Sequence, residues 1–186
     1  MNPIHPNDWQ LAGSGGMTDA QRRLLNAACA QLAYNPDTGS FEWMVKGRGR
    51  FKRIGNPAGS IGHHGYVRIC VCGIEKYAHQ WAVAIHYGEF ISKPFEIDHI
   101  NGDTSDNRIS NLRIATVAEN RQNTRGKSCR RSAFKGARFD ARYGTWSASI
   151  AAFGSSYHLG TFSSEEGACA AYRSAALRLH GEFAKW

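Results

Sequence analysis

Apolar positions along the chain switch between two periods, and the switches mark out the elements. Leu24, Leu25, Ala28 and Leu32 recur at helical spacing behind Thr18, so QRRLLNAACAQLAY predicts a capped amphipathic helix. Asn35-Pro36-Asp37-Thr38-Gly39 is a turn signal. Short strands are expected at Phe41 to Val45 and at Tyr66 to Cys72, where apolar and polar residues alternate. Helical spacing returns over Tyr77 to Tyr87, with Trp81, Ala84 and Ile85 as the core side. His79 and His86 lie on this helix and read as structural. Phe95 to Asp98 and Leu112 to Ala115 read as two short strands around a turn-rich loop. A helix over Val117 to Asn123 follows, with Thr116 and Glu119 as its capping pair. Three more strands are predicted at Phe134 to Phe139, Thr145 to Ala152 and Tyr157 to Phe162. Tyr143-Gly144 and Gly154-Ser155 stand at their turns. A closing helix starts at a capping box of Ser163 and Glu166, and presents Ala168, Ala171, Tyr172, Ala175 and Leu179 on one face.

These elements suit two small domains in 186 residues, and 42% hydrophobic residues is ordinary for a folded chain. The net charge of +8 is unevenly spread. Up to Asn120, 12 Lys and Arg face 11 Asp and Glu; from Arg121 onward the ratio is 11 to 4. A polyanion partner for the last third is the simplest reading, with a solvated basic surface as the alternative. A second basic run, Lys46 to Arg53, reads either as a phosphate-gripping hairpin through Arg50, Lys52 and Arg53 or as a solvated loop. The five cysteines form no C-x-x-C pair, so neither a disulfide-linked partner nor a Cys-rich zinc site is expected. A reducing cytoplasm fits. No apolar run approaches a membrane span, and Met1 to Gly16 has no signal-peptide pattern.

The chemistry concentrates at Asp98 and His99. Cleaving a phosphodiester needs an activated water and a stabilised leaving oxygen. A hard cation held by one or two protein oxygens supplies the second, and a neutral imidazole near its pKa can supply the first. Adjacent residues in a strand point to opposite faces, so the two share a site only if the strand breaks between them. Asn101-Gly102 makes such a break plausible. Asn111, on the returning arm, can hold the histidine loop by hydrogen bonds, and Asn120, in the helix, can present an amide oxygen.

DHINGDTSDNRISNLRIATVAEN resembles the HNH nuclease signature, in its phage-type branch that includes homing endonucleases. YNPDTGSFEW, GYVRI and YAHQWAVAIHYGEF extend the resemblance upstream. It implies a ββα-metal fold, Asp98 as metal ligand, His99 as general base and Asn111 as the residue that positions His99. The family's third letter is often histidine; here it falls on Asn120, which becomes the second metal ligand of an H-N-N variant. Two oxygen ligands favour one Mg²⁺ per site, with Mn²⁺ possible, over zinc. His79 falls at a recurrent histidine of the family and is expected to pack against the site or touch the backbone.

Further on, FKGAR, GTW, HLGTF and EEGACAAYRSAALRLHGEFA resemble an AP2 domain, which implies a three-stranded sheet on one helix with the sheet in the DNA major groove. Lys135 and Arg138 match DNA-contacting positions, and Arg142 in the first turn is placed to reach phosphate. Other contact positions of the family carry Ser149, Ala151, Ser156 and His158 here, which implies phosphate-dominated binding with little base readout. Phe139, Trp146 and Phe162 read as sheet core. Arg125, Lys127, Arg130 and Arg131, in the basic connector, are also expected to grip DNA.

The expected class is therefore α+β: a flexible tail (1–17), an HNH endonuclease domain (18–123, ββα-metal core about 94–123), a basic linker (124–132) and an AP2-like domain (133–186). The leading reading is a metal-dependent DNA endonuclease that nicks as a monomer, with double-stranded DNA as partner and no membrane. Its expected location is the cytoplasm, that of the host cell if the gene is phage-borne. The alternatives are a DNA-binding regulator with an inactive HNH module and a metal-free structural nucleic-acid binder.

Overall fold

The computed structural model describes residues 16–48, 52–62, 64–117, 119–120 and 135–184. The chain divides after Thr116 into two compact units.

The first unit opens with α1 (Asp19–Gln31). Its start is fixed by a capping box in which Thr18 Oγ1 accepts from Gln21 N and Gln21 Oε1 accepts from Thr18 N. The helix stops at Gln31, where the expectation carried it on to Tyr34. Leu32 turns extended, and β1 (Leu32–Tyr34) pairs antiparallel with β2 (Phe41–Trp43). The Asn35–Gly39 turn explains the change. Asn35 accepts from Gly39 N through its carbonyl and from Asp37 N through its side chain, closing a hairpin that helix would forbid.

A second sheet holds β3 (Ser60–Ile61), β4 (Val67–Val71) and β5 (Ile74–Tyr77) in the order β3-β4-β5. The β4–β5 hairpin turns through Cys72 and Gly73, both at positive φ (51° and 79°). That conformation suits a two-residue hairpin loop, and the sequence hides it because cysteine is not a turn residue. Cys72 therefore leaves the strand instead of alternating with Cys70, while Ile69 and Val71 face the core.

Next, α2 (Ala78–Tyr87) ends at Gly88, a left-handed cap whose N–H bonds Ala84 O. Its Trp81 is fully buried, donates its indole N–H to Ile69 O at 3.1 Å and meets Phe90 edge-on. Leu25, Ala28, Leu32, Phe41, Trp43 and Leu112 complete this core. Two strands close the unit: β6 (Phe95–His99) and, after a 3-10 turn at Ile109–Asn111, β7 (Leu112–Thr116).

In the second unit, Val117, Glu119 and Asn120 are helical. Three strands, β8 (Ala137–Asp140), β9 (Thr145–Ala152) and β10 (Ser155–Phe162), form an antiparallel sheet in the order β10-β9-β8. Phe153-Gly154 makes the second turn, one residue earlier than expected. The small residues Ala137, Ala148, Ala168, Ala175 and Ala176 let α3 (Glu165–His180) pack closely on one sheet face, with Ile150 and Tyr172. Its cap is Ser164, which accepts from Gly167 N, and not Ser163. Phe139 and Trp146 pack together at 5.1 Å, and Trp146 and Phe162 lie against the alanine cluster. The four cysteines among the described residues are free thiols. No helix among those residues is long and apolar enough to cross a membrane.

Candidate active site

The ribbon β6–β7 carries the predicted chemistry. Its register is regular through both key residues: Asp98 faces Arg113, and His99 faces Leu112. The strand does not break between Asp98 and His99, as the sequence reading required. It breaks after His99, where Gly102 N bonds His99 O and Ile100 N bonds Asn111 O. Neighbours in an unbroken strand point apart. Asp98 therefore shares its face with Arg113, while His99 lies on the side of Leu112 and the apolar core. Both residues are buried.

On the Asp98 face, Arg113 donates from Nε to Asp98 Oδ2 (2.9 Å), and its Nη2 forms an ion pair with the same oxygen at 2.7 Å. Arg113 was missed by sequence reasoning. The signal lay in the hairpin register, which sets a cation directly opposite a carboxylate.

On the other face, His99 joins a cluster of rings. His79 meets it edge-on at 5.0 Å, and Tyr66 lies at 5.9 Å. Tyr77 stacks on His79 at 5.5 Å. Burial pushes the His79 imidazole down to about 3, helped by the charge of His99 when protonated. Burial also lowers His99. A hydrogen bond to the Asn107 side chain and the charges of Asp98, Asp103 and Asp106 act the other way. His99 is thus neutral at neutral pH, the state that accepts a proton. Burial, then Tyr77, Asp98 and Glu96, raise the Tyr66 hydroxyl, which stays protonated.

The loop after His99 is tied by side chains. Asn111 Oδ1 accepts from Asn101 N (3.0 Å), and its Nδ2 donates to Asp106 O (2.8 Å). Asp106 accepts from Arg108 Nη2 at 2.6 Å, and that hydrogen bond above all holds its carboxyl down at about 2. The β1–β2 hairpin supports the same loop: Tyr34 donates its hydroxyl to Asn107 O, and Pro36 O accepts from Ile109 N. Asn107 is itself buried, a second residue that the sequence left as turn.

Asp98, His99 and Asn111 thus lie at one end of the β6–β7 ribbon, Asp98 and His99 on opposite faces of β6 but near enough for the charge of Asp98 to act on the His99 ring. Asn120 belongs to the second unit, which is described by itself. Of the predicted DNA-gripping residues, Lys52 is turned inward: its ammonium donates to Gln31 Oε1 at 2.7 Å and sits 4.1 Å over the Trp43 ring. A cation over an aromatic face and bonded to an amide is already engaged within the fold. Arg53, Arg138 and Arg142 are exposed, and Lys135 is half-buried. Arg50, Arg125, Lys127, Arg130 and Arg131 lie outside the described residues. Among the described residues, no three His, Cys, Asp or Glu converge as metal ligands.

Residues 76–122 match the family model of the HNH endonucleases. Over that stretch the chain is similar to the HNH endonucleases. The matched stretch holds Asp98, His99, Asn111 and Asn120, together with α2 and the whole β6–β7 ribbon. A solved structure of the HNH homing endonuclease I-HmuI, described as showing DNA binding and cleavage, is 27% identical with a TM-score of 0.33. The match covers 46% of this chain and 47% of that one, so the chain spans about half the length of the protein it matches. No curated protein matches the chain.

Proposed function

We propose that the chain is a metal-dependent DNA endonuclease of the phage, homing-endonuclease type. The observation that carries this is the HNH match over residues 76–122, with Asp98 and His99 both buried at the end of one strand. The donor set fits a hard cation. On the pattern of the HNH signature, Asp98 would supply a carboxylate and Asn120 an amide oxygen, chemistry that suits Mg²⁺ or Mn²⁺ better than the nitrogen and sulfur sets of zinc sites. When bound, the cation polarises the scissile phosphate and stabilises the leaving alkoxide.

The protein's own residues do the rest. His99, kept neutral by burial, takes the proton from the attacking water. Asn111 ties both ends of the loop that follows His99 and so holds the ring's backbone in place. One such site nicks one strand per encounter. The second unit, an antiparallel three-stranded sheet backed by α3, serves as an AP2-like module that holds double-stranded DNA. Its outer face, with Arg138, Ser149, Ala151, Ser156 and His158 exposed, offers few bidentate side chains, so phosphate contacts dominate.

A regulator with an inactive nuclease module is favoured by one observation, the guanidinium already seated on Asp98. Plasmid nicking in Mg²⁺ separates the two, comparing wild type with His99→Ala. The proposed role predicts nicking by the wild type that the substitution abolishes. Equal activity in both, or none in the wild type on phage DNA, would remove His99 from that role.

A further inference from the structure

The candidate cation site has a counter-charge built into its floor. Arg113 lies directly across the ribbon from Asp98, and its Nε and Nη2 both approach Asp98 Oδ2, at 2.9 and 2.7 Å. The side chains are only 5% and 8% exposed, so water screens the pair little. Glu96, two residues back on the Asp98 face of β6, is exposed, where water screens its charge. Asp106 is held by Arg108, and Asp103 is exposed to solvent. A divalent cation approaching Asp98 therefore meets a carboxylate whose charge the adjacent guanidinium offsets, and the guanidinium repels it at short range. A nucleic-acid phosphate changes that balance, because it brings a new negative charge and further oxygen ligands.

We propose that Arg113 is a positioning residue that makes the cation site dependent on DNA: it neutralises Asp98 in the free protein, so that the divalent ion loads with a nucleic-acid phosphate and not before it. The inference rests on the reading of Asp98 as a cation ligand. It gives the buried pair a purpose that an inactive module would lack. A guanidinium that only braced the ribbon would affect folding and leave the cation affinity of the folded protein unchanged.

Mn²⁺ titration of the whole protein, with the free ion followed by electron paramagnetic resonance, tests this without relying on turnover. In the wild type, affinity should rise roughly tenfold or more when a duplex that the protein nicks is added, after subtraction of binding by the duplex alone. Arg113→Gln should raise the DNA-free affinity by roughly tenfold or more. Arg113→Lys, which keeps the charge, should stay close to the wild type. Equal wild-type affinity with and without DNA overturns the proposal, as does a folded Arg113→Gln protein that binds no tighter. If Arg113→Gln loses its cooperative melt, the wild-type comparison decides alone. Asp98→Asn distinguishes the two levels of failure. If it leaves Mn²⁺ binding in the DNA complex intact, the site assignment itself is wrong. If it abolishes that binding while Arg113→Gln has no effect, only the role of Arg113 falls.

Discussion

The imidazoles of His79 and His99 meet edge to face, 5.0 Å between centroids and 88° between planes. The contact joins α2 to the end of β6, and His79 is buried there, so its pKa falls from 6.5 to about 3. The folded-state pKa is lowered, so the unfolded chain binds its proton first as the pH drops. Stability from this group is intact above pH 6.5 and is lost between 6.5 and about 3, by on the order of 1.4 kcal/mol per pH unit. His79→Gln cannot titrate. Urea unfolding at pH 7 and pH 5 should therefore show the gap between variant and wild type shifting in favour of the variant at the lower pH. A gap that stays constant would contradict the assignment.

Gly39 touches the active-site loop in a way that no other residue can. Its φ is +73°, and an added Cβ would lie 2.5 Å from Arg108 N and 2.6 Å from Asn107 C. Both obstacles are backbone, so the hairpin or the loop must move. Gly39→Ala should destabilise the first unit by about 1–3 kcal/mol. It should also slow plasmid nicking, although no catalytic group is altered. Thermal melts and nicking rates measured together check the coupling, and a variant with a normal melt and normal nicking would show that the hairpin does not brace the loop.

The sequence disclosed the parts of the fold that depend on local chemistry. The cap at Thr18, the turn after Asn35, α2 and the β6–β7 ribbon all follow from periodicity and punctuation within a few residues. What it concealed depends on partners distant along the chain. Leu32 to Tyr34 continue the apolar spacing of α1, and only pairing with β2 draws them into a strand. Cys72 takes a left-handed turn because Val71 and Ile74 pair across it. At the site, Asp98, His99 and Asn111 were marked by their motif. Arg113 and Asn107 became visible only through register and burial. The expected break between Asp98 and His99 failed for the same reason: the Asp98–Arg113 pair gives the ribbon cause to run one residue further.

Phe153 offers a stability test in the second unit. It sits at φ 51° in the β9–β10 turn and is 80% exposed. A bulky side chain in the left-handed region is strained, and exposure returns little packing energy. Asparagine suits this turn position far better. Phe153→Asn should raise stability by about 0.5–1 kcal/mol, read as a higher unfolding midpoint. A lower midpoint would mean that the ring makes contacts that outweigh the strain.

Arg138 tests the proposed grip on DNA. It is exposed on β8, opposite Ser147, on the sheet face turned away from α3. A phosphate contact there releases counterions when DNA binds, so affinity should fall steeply as salt rises. Removing one such contact lowers the slope of log affinity against log salt by about 0.9 in magnitude. Arg138→Gln in the full chain should show that smaller slope, with affinity reduced to a similar extent on unrelated duplexes. A loss confined to one sequence would instead identify Arg138 as a base-reading residue, and an unchanged slope would take it off the DNA altogether.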